Sequence, residues 1–285
     1  MTGIITTLIL VATLIVQAVV PARRQVVVLA GAALCAAIVL LSGTATMQQL
    51  YEGVPWNVLV ILVSLGLFTQ VVVRSEVFGL AAVKVAQISR GSEPRLLLLF
   101  ASFMFVVSSV LNNLTALLLC LPVILTIMGN LAVSQRFVTL CLALVLVACN
   151  LGGAATPIGD FPAIVLLGTG AISFLDYLVR AAPACIVVFA AVSGAFAAVL
   201  ASRKASERPS SFTFVSTALL AHMYRRTKLK WAVIIPAAAV FLAMLILWII
   251  GDAWHLPPDI VSFLGVVTLL LLSRGTGERI ARTEV

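Results

Sequence analysis

Charged residues are scarce in this chain. Only 10% of its 285 residues are Asp, Glu, Lys or Arg, whereas 62% are hydrophobic and the mean hydropathy is +1.21. A soluble domain of this size has far more charge and far less apolar surface to bury. The composition therefore excludes an ordinary soluble protein and predicts an all-α integral membrane protein in contact with the lipid bilayer.

The sequence also lacks the motifs of catalysis and cofactor binding. It contains no HExxH pattern, no Ser/His/Asp arrangement and no glycine-rich loop followed by Lys and Ser or Thr, so neither an enzyme nor an ATP-driven pump is predicted. The five cysteines form no CxxC pair and the two histidines lack partner ligands, so no disulfide, metal site or other cofactor is expected. The net charge of +8 comes from short basic loops and does not indicate nucleic-acid binding.

Apolar runs that could span or enter a bilayer recur along the whole chain. They lie at 3–20, 26–43, 56–73, 95–128, 137–178, 181–200, 231–250 and 259–273. The loops that carry Glu52, Asp252 and Asp259 have no Lys or Arg, whereas the other loops are basic. The positive-inside rule then predicts an external N-terminus and a cytoplasmic C-terminus, in the inner (plasma) membrane of a bacterium.

The order of these runs predicts a succession of distinct segments. Three spans come first, and the mildly amphipathic segment 77–90 is predicted to lie along the cytoplasmic interface. A polar, basic stretch at 201–230 is predicted to be a cytoplasmic linker, and 231–285 supplies two further helices.

The run 95–128 is too long for one crossing and too short for two crossings with a loop. Its flanking residues Arg95 and Arg136 both favour the cytoplasm. Two arms of about 16 residues would each reach roughly 24 Å, less than a full hydrocarbon core. The sequence therefore predicts a re-entrant hairpin whose tip is the polar stretch SSVLNNLT, from Ser108 to Thr115.

The run 137–178 is interrupted by NLGGAATPIGDFP at residues 150–162, which holds three glycines and two prolines. Glycines relax the backbone and prolines remove amide donors, so this stretch predicts a membrane helix broken in its middle. Two broken, polar elements that are close in sequence are typical of a transporter's binding site. Asp160 is the only acid in the stretch, and it either carries an ion or proton or caps the helix that follows.

NLGGAATPIGDFPAIV resembles the signature of the ion transporter superfamily. The branch it most resembles holds the melanosomal P protein, arsenite permeases and D-type sodium/proton antiporters, with dicarboxylate and citrate carriers more distant. The chain departs from the pattern at Phe161, where proline is usual, and at Ala163, where asparagine is usual. The tip motif NNLTA is similar to that family's hairpin tip.

This resemblance implies an inverted-repeat transporter fold with a transport site between two hairpins and two broken helices. Residues 1–200 would form the first repeat, and 231–285 would supply only the first two helices of an incomplete second repeat. Either the chain is a fragment of a longer transporter, or a homodimer or a second chain supplies the missing half, or the protein does something other than transport. Two functions stay open: a secondary active transporter (or half of one) driven by an ion gradient, or a truncated, non-transporting module acting as sensor or assembly partner.

The residues predicted to bind the solute or coupling ion come from the tip and the break. The solute would be a small inorganic ion or a carboxylate, moved by symport or antiport with sodium or a proton. Sodium would bind among Asn113, Thr115, Asn150 and Asp160. The full predicted set is Asn112, Asn113, Thr115, Asn150, Gly152, Gly153, Thr156 and Asp160.

Overall fold

A computed structural model describes residues 2–89, 92–130, 133–201, 230–254 and 256–283. Nearly all of these residues are helical, as expected for an all-α polytopic membrane protein. By length and composition, seven of the described helices could cross a membrane. Most of the predicted linker 201–230 lies outside the described residues.

The first compact unit comprises the residues before Asn57. It contains α1 (Thr2–Val19), α2 (Arg24–Leu41) and the short helix α3 (Met47–Glu52). The α1–α2 pair packs closely because Gly31 leaves no side chain where it meets Thr13. Helix α3 falls in the predicted external loop and begins with a capping box between Thr46 and Gln49.

The second compact unit begins at Asn57 and holds the rest of the fold. The segment predicted to lie along the membrane interface forms α5. The unit includes all of α4 except its first residue, Trp56. Its helices are α4 (Trp56–Val73), α5 (Val77–Ile88), α6 (Glu93–Val110), α7 (Asn113–Asn130), α8 (Gln135–Ala155), α9 (Phe161–Gly168), α10 (Phe174–Ala201), α11 (Trp231–Ile250) and α12 (Pro258–Thr283).

Two hydrophobic clusters organise this second unit. One joins α5, α6, α7 and α8, with large side chains such as Phe100, Met104 and Phe137 fully buried and with α10 packed against its edge. The other joins α4, α9, α11 and α12 around Ile61, Met244 and other apolar residues. The interruption between α8 and α9 therefore lies where the chain passes from one cluster to the other.

Several boundaries differ from those expected from the sequence. Helices α6 and α7 have 18 residues each rather than about 16, because α6 already begins at Glu93, with Pro94 in its first turn. Helix α9 is only 8 residues long. The helix expected from 181 begins at Phe174, where the Ser173 hydroxyl accepts a hydrogen bond from the Asp176 amide. Whether the α6–α7 hairpin is re-entrant stays a prediction.

Candidate functional site

The tip between α6 and α7 is a two-residue turn. Leu111 is extended and ends α6, with φ −109° and ψ 154°. The Asn112 side-chain oxygen accepts a 3.0 Å hydrogen bond from the Leu114 amide, which starts α7. An asparagine that binds the backbone two residues ahead is typical of a turn that leads into a helix. Leu111 and Asn112 therefore form the turn at the tip, and Asn113 is the first residue of α7.

The break between α8 and α9 has a different local cause. Thr156 is extended and ends α8, and Asp160 is the extended N-cap of α9. One Asp160 carboxylate oxygen accepts a 2.9 Å hydrogen bond from the Phe161 amide. Pro162 is in the first turn of α9, where its missing amide is tolerated. Asp160 thus caps α9, which is one of the two roles that the sequence predicts for it. Its role in carrying an ion or a proton stays a prediction.

Direct hydrogen bonds join the tip to the break. The Asn113 amide donates to the Gly159 carbonyl oxygen at 3.2 Å. The Thr156 hydroxyl donates to the Ser109 carbonyl oxygen at 2.6 Å. Each bond satisfies a backbone group that a chain interruption would otherwise leave without a partner in an apolar environment. The two broken elements therefore satisfy each other.

Behind these contacts lies a small buried polar cluster. The Ser108 hydroxyl donates to the Asn113 side-chain oxygen at 2.5 Å. The Cys149 thiol lies 3.4 Å from both the Ser108 hydroxyl and the Asn113 carbonyl oxygen. Ser108 and Cys149 are completely buried. The cluster holds the first turn of α7 against α8.

Glycines in the signature permit this close approach. A methyl group added at Gly152 would overlap the backbone carbonyl of Phe105, and one at Gly153 would overlap the Asn113 side-chain amide. One at Gly159 would overlap the Ser108 carbonyl oxygen. The glycines of the predicted binding set therefore act as packing positions between α8 and the hairpin.

A further carbonyl of α8 is satisfied from α10. The Tyr177 hydroxyl donates to the Ala154 carbonyl oxygen at 3.0 Å. The sequence suggested that an ion or substrate would satisfy the groups freed at the break. In the structure, the protein itself satisfies several of them, through Tyr177, Thr156 and Asn113.

The predicted site residues thus fall into two groups. Asn113, Gly152, Gly153 and Thr156 form the junction between tip and break. Asn112 and Asp160 each use one side-chain oxygen as a local cap and keep further polar atoms free of contacts within the described residues.

Thr115 and Asn150 complete the set. Their side chains form no hydrogen bond with the part of the chain that the structure describes. Thr115 is half-buried, and Asn150 lies on the exposed side of α8, opposite the face that packs on the hairpin. The structure therefore does not bring Asn150 into direct contact with the other predicted residues.

Three side chains that contribute to the junction were not in the predicted set. Ser108 belongs to the polar stretch at the tip, and that stretch was the available signal. Cys149 precedes the signature, where a cysteine among apolar residues is typical of simple packing. Tyr177 lies in a later helix, and no local pattern connects it to the break. Among the described residues, His, Cys, Asp and Glu form no group of three that could hold a metal ion.

The fold and the two joined interruptions define a polytopic membrane protein of the transporter class. The sequence profile described as citrate transporter (CitMHS) matches residues 5–283. The chain belongs to this family, which confirms the predicted membership of the ion transporter superfamily. It is thus a membrane protein of a transporter family.

Individual relatives agree with this assignment. A 46 kDa membrane protein of Mycobacterium leprae is 27% identical over 86% of this chain and 55% of its own length. The magnetosome protein MamN of Magnetospirillum gryphiswaldense is 26% identical over 96% of this chain and 61% of its own length. The P protein of Sus scrofa is 29% identical over 47% of this chain and 16% of its own length. The chain spans between about half and three fifths of the first two relatives.

Proposed function

We propose that this chain is a secondary active transporter, or half of one, that moves a small anion or a sodium or proton equivalent across the membrane and is driven by an ion gradient. The observation that carries the proposal is the direct junction of two helix interruptions, made by Asn113, Thr156 and Gly159. Such interruptions inside membrane segments are typical of the binding sites of secondary transporters. Family membership supports transport, and the solute and coupling ion belong to the proposal.

Oxygen atoms around the junction suit a small hard cation. Thr115 offers a hydroxyl oxygen that no described residue uses. Asp160 offers the carboxylate oxygen that is not occupied by the Phe161 amide. A half-buried carboxylate in a membrane segment is costly unless it meets a cation, a proton or water, so Asp160 is the proposed coupling residue.

Helix N-termini at the same place suit an anion. Helix α7 begins at the tip and α9 begins at the break, so the positive ends of two helix dipoles lie beside the junction. No Lys or Arg occurs in 108–115 or 150–162. An anion held there would rely on amides and helix dipoles, which favours a small carboxylate or inorganic anion over a highly charged acid.

The junction also indicates which helices would move together during transport. Hydrogen bonds and glycine contacts attach the tip to α8, so the hairpin and α8 would move as one body. The extended residues between α8 and α9 separate this body from the cluster around α4, α11 and α12. Movement of the hairpin body against a scaffold would then carry the solute.

Flux in vesicles tests this proposal. The product of the native gene, reconstituted in liposomes, should accumulate one labelled solute from a panel of chloride, arsenite, acetate, succinate and citrate when an inward sodium or proton gradient is imposed. Protein-free liposomes supply the background. If no member of the panel and no sodium or proton equivalent moves above that background, the transport function is wrong and the sensor or assembly role takes its place.

We further propose an inner-membrane orientation with the N-terminus outside and the C-terminus in the cytoplasm. The charge pattern supports it, because Arg23 directly precedes α2 and Arg24 begins it, whereas α3 ends in Glu52. A reporter active only in the periplasm should be active when fused after Glu52 and inactive when fused after Arg24. The reverse pattern would contradict this orientation.

A further inference from the structure

A crevice between α5 and α6 lies outside the junction described above. It has a volume of about 770 Å³ and opens to the outside of the second unit. Each helix contributes three residues at spacings i, i+3 and i+4, which places them on one face. These residues are Lys84, Gln87 and Ile88 of α5 and Arg95, Leu98 and Leu99 of α6.

The polar part of this crevice is cationic. Lys84 and Arg95 are both exposed and form no ion pair with any described residue. Gln87 adds an amide between them. Glu93 is close in sequence, but it precedes Arg95 by two positions on α6 and therefore does not share its face. Two positive charges thus line one cavity without an acidic partner there.

The remaining walls are apolar. Ile88 is 58% exposed and adds a large aliphatic side chain beside the two cations. Leu98 and Leu99 are only partly buried and follow Arg95 along α6 into the hydrophobic body of the helix. On α6 the crevice therefore presents the cation Arg95 in the first turn and hydrocarbon one turn further along the helix, and on α5 it presents Lys84 one turn before Ile88.

The helices themselves fix this arrangement. Ala82, Val83 and Ala86 bury the opposite face of α5 in the first hydrophobic cluster, so the face that carries Lys84 and Ile88 must point away from the protein. Leu96 and Leu97 bury the neighbouring face of α6 in the same way. The packing of α5 and α6 on the first hydrophobic cluster therefore places these side chains along the crevice.

We propose that this crevice binds an anionic phospholipid, with the phosphate group on Lys84 and Arg95 and an acyl chain along Ile88, Leu98 and Leu99. Basic pockets between membrane helices bind anionic headgroups, and long basic side chains reach the interface while their stems lie along apolar surface. A soluble phosphate would use the cations alone and would leave the apolar wall uncovered. A crevice that combines two cations with exposed hydrocarbon matches the combination of a charged headgroup and an acyl chain in one phospholipid.

Competition between lipids tests the proposal. The purified chain is mixed in detergent with equal amounts of phosphatidylglycerol and phosphatidylcholine, and native mass spectrometry counts the retained lipids. The wild type should retain phosphatidylglycerol preferentially. Each basic residue near an anionic headgroup strengthens binding about fivefold, so Lys84→Gln should weaken retention about fivefold and Lys84→Gln with Arg95→Gln about 25-fold.

A matched control and a soluble competitor separate the alternatives. Arg136→Gln removes an exposed cation from the first turn of α8, outside the crevice, and should leave the preference unchanged. Millimolar glycerol phosphate should not displace phosphatidylglycerol. Equal retention of the two lipids by the wild type, unchanged retention by the double variant, or displacement by glycerol phosphate would each overturn the proposal.

Discussion

Replacement of Asp160 by Asn should lower gradient-driven uptake at least tenfold while leaving the protein folded. The Asn side chain keeps an oxygen that can accept the hydrogen bond from the Phe161 amide, so the N-cap of α9 remains. The substitution removes only the negative charge that is proposed to meet the coupling ion. Uptake into liposomes and the apparent melting temperature, measured on the same preparation, give the two readouts.

Asp160→Ala separates the two roles of this residue further. Alanine removes both charge and cap, and loss of an N-cap costs about 1 kcal/mol of stability. The expected order of melting temperature is wild type equal to Asp160→Asn and above Asp160→Ala, whereas both variants lose uptake. If Asp160→Asn transports at the wild-type rate, Asp160 is a helix cap and carries no ion.

Gly152→Ala should strongly destabilise the junction of the tip and the break. The added methyl group would overlap the Phe105 backbone carbonyl, and a backbone atom cannot rotate out of the way as a side chain can. Helix α6 would have to move away from α8, and overpacking of this kind lowers the free energy of unfolding by about 1–3 kcal/mol or more. We expect a lower melting temperature and a smaller folded fraction in detergent.

Gly66→Ala provides the matched control. Gly66 also lies inside a membrane-span helix, but a methyl group added there has no neighbour within 4 Å. Because alanine is the better helix former by about 1 kcal/mol, this variant should be as stable as the wild type or more so. If Gly152→Ala and Gly66→Ala behave alike, α6 and α8 do not approach each other as closely as the structure has them.

Local chemistry allowed the interruptions to be predicted. Gly152, Gly153, Pro157 and Pro162 disfavour a continuous helix. In the structure Pro157 lies in the interruption between α8 and α9, whereas Gly152 and Gly153 still belong to α8 and Pro162 lies in the first turn of α9. The start of α10 at Phe174 was not predicted, although the glycines of GTG at 168–170 interrupt the apolar sequence and Gly170 adopts a positive φ of 70° in the turn between α9 and α10. There the Ser173 cap decides the boundary, and a single serine is a weak signal.

The partners within the site could not be predicted from local sequence. Asn113 can bind an ion, cap a helix or accept a bond from a neighbour, and only the approach of α6 to α8 brings Ser108 and Cys149 to it. Tyr177 reaches Ala154 from a different helix. Such pairings depend on tertiary packing, which the spacing of residue types does not encode.

If an ion gradient drives solute transport through the joined tip and break, the solute found in the flux panel should accumulate against its own gradient. This accumulation is measured in liposomes before and after an ionophore collapses the sodium or proton gradient. We expect an internal concentration above the external one, which falls to the external level once the ionophore is added. Uptake that never exceeds the external concentration and ignores the ionophore would contradict it.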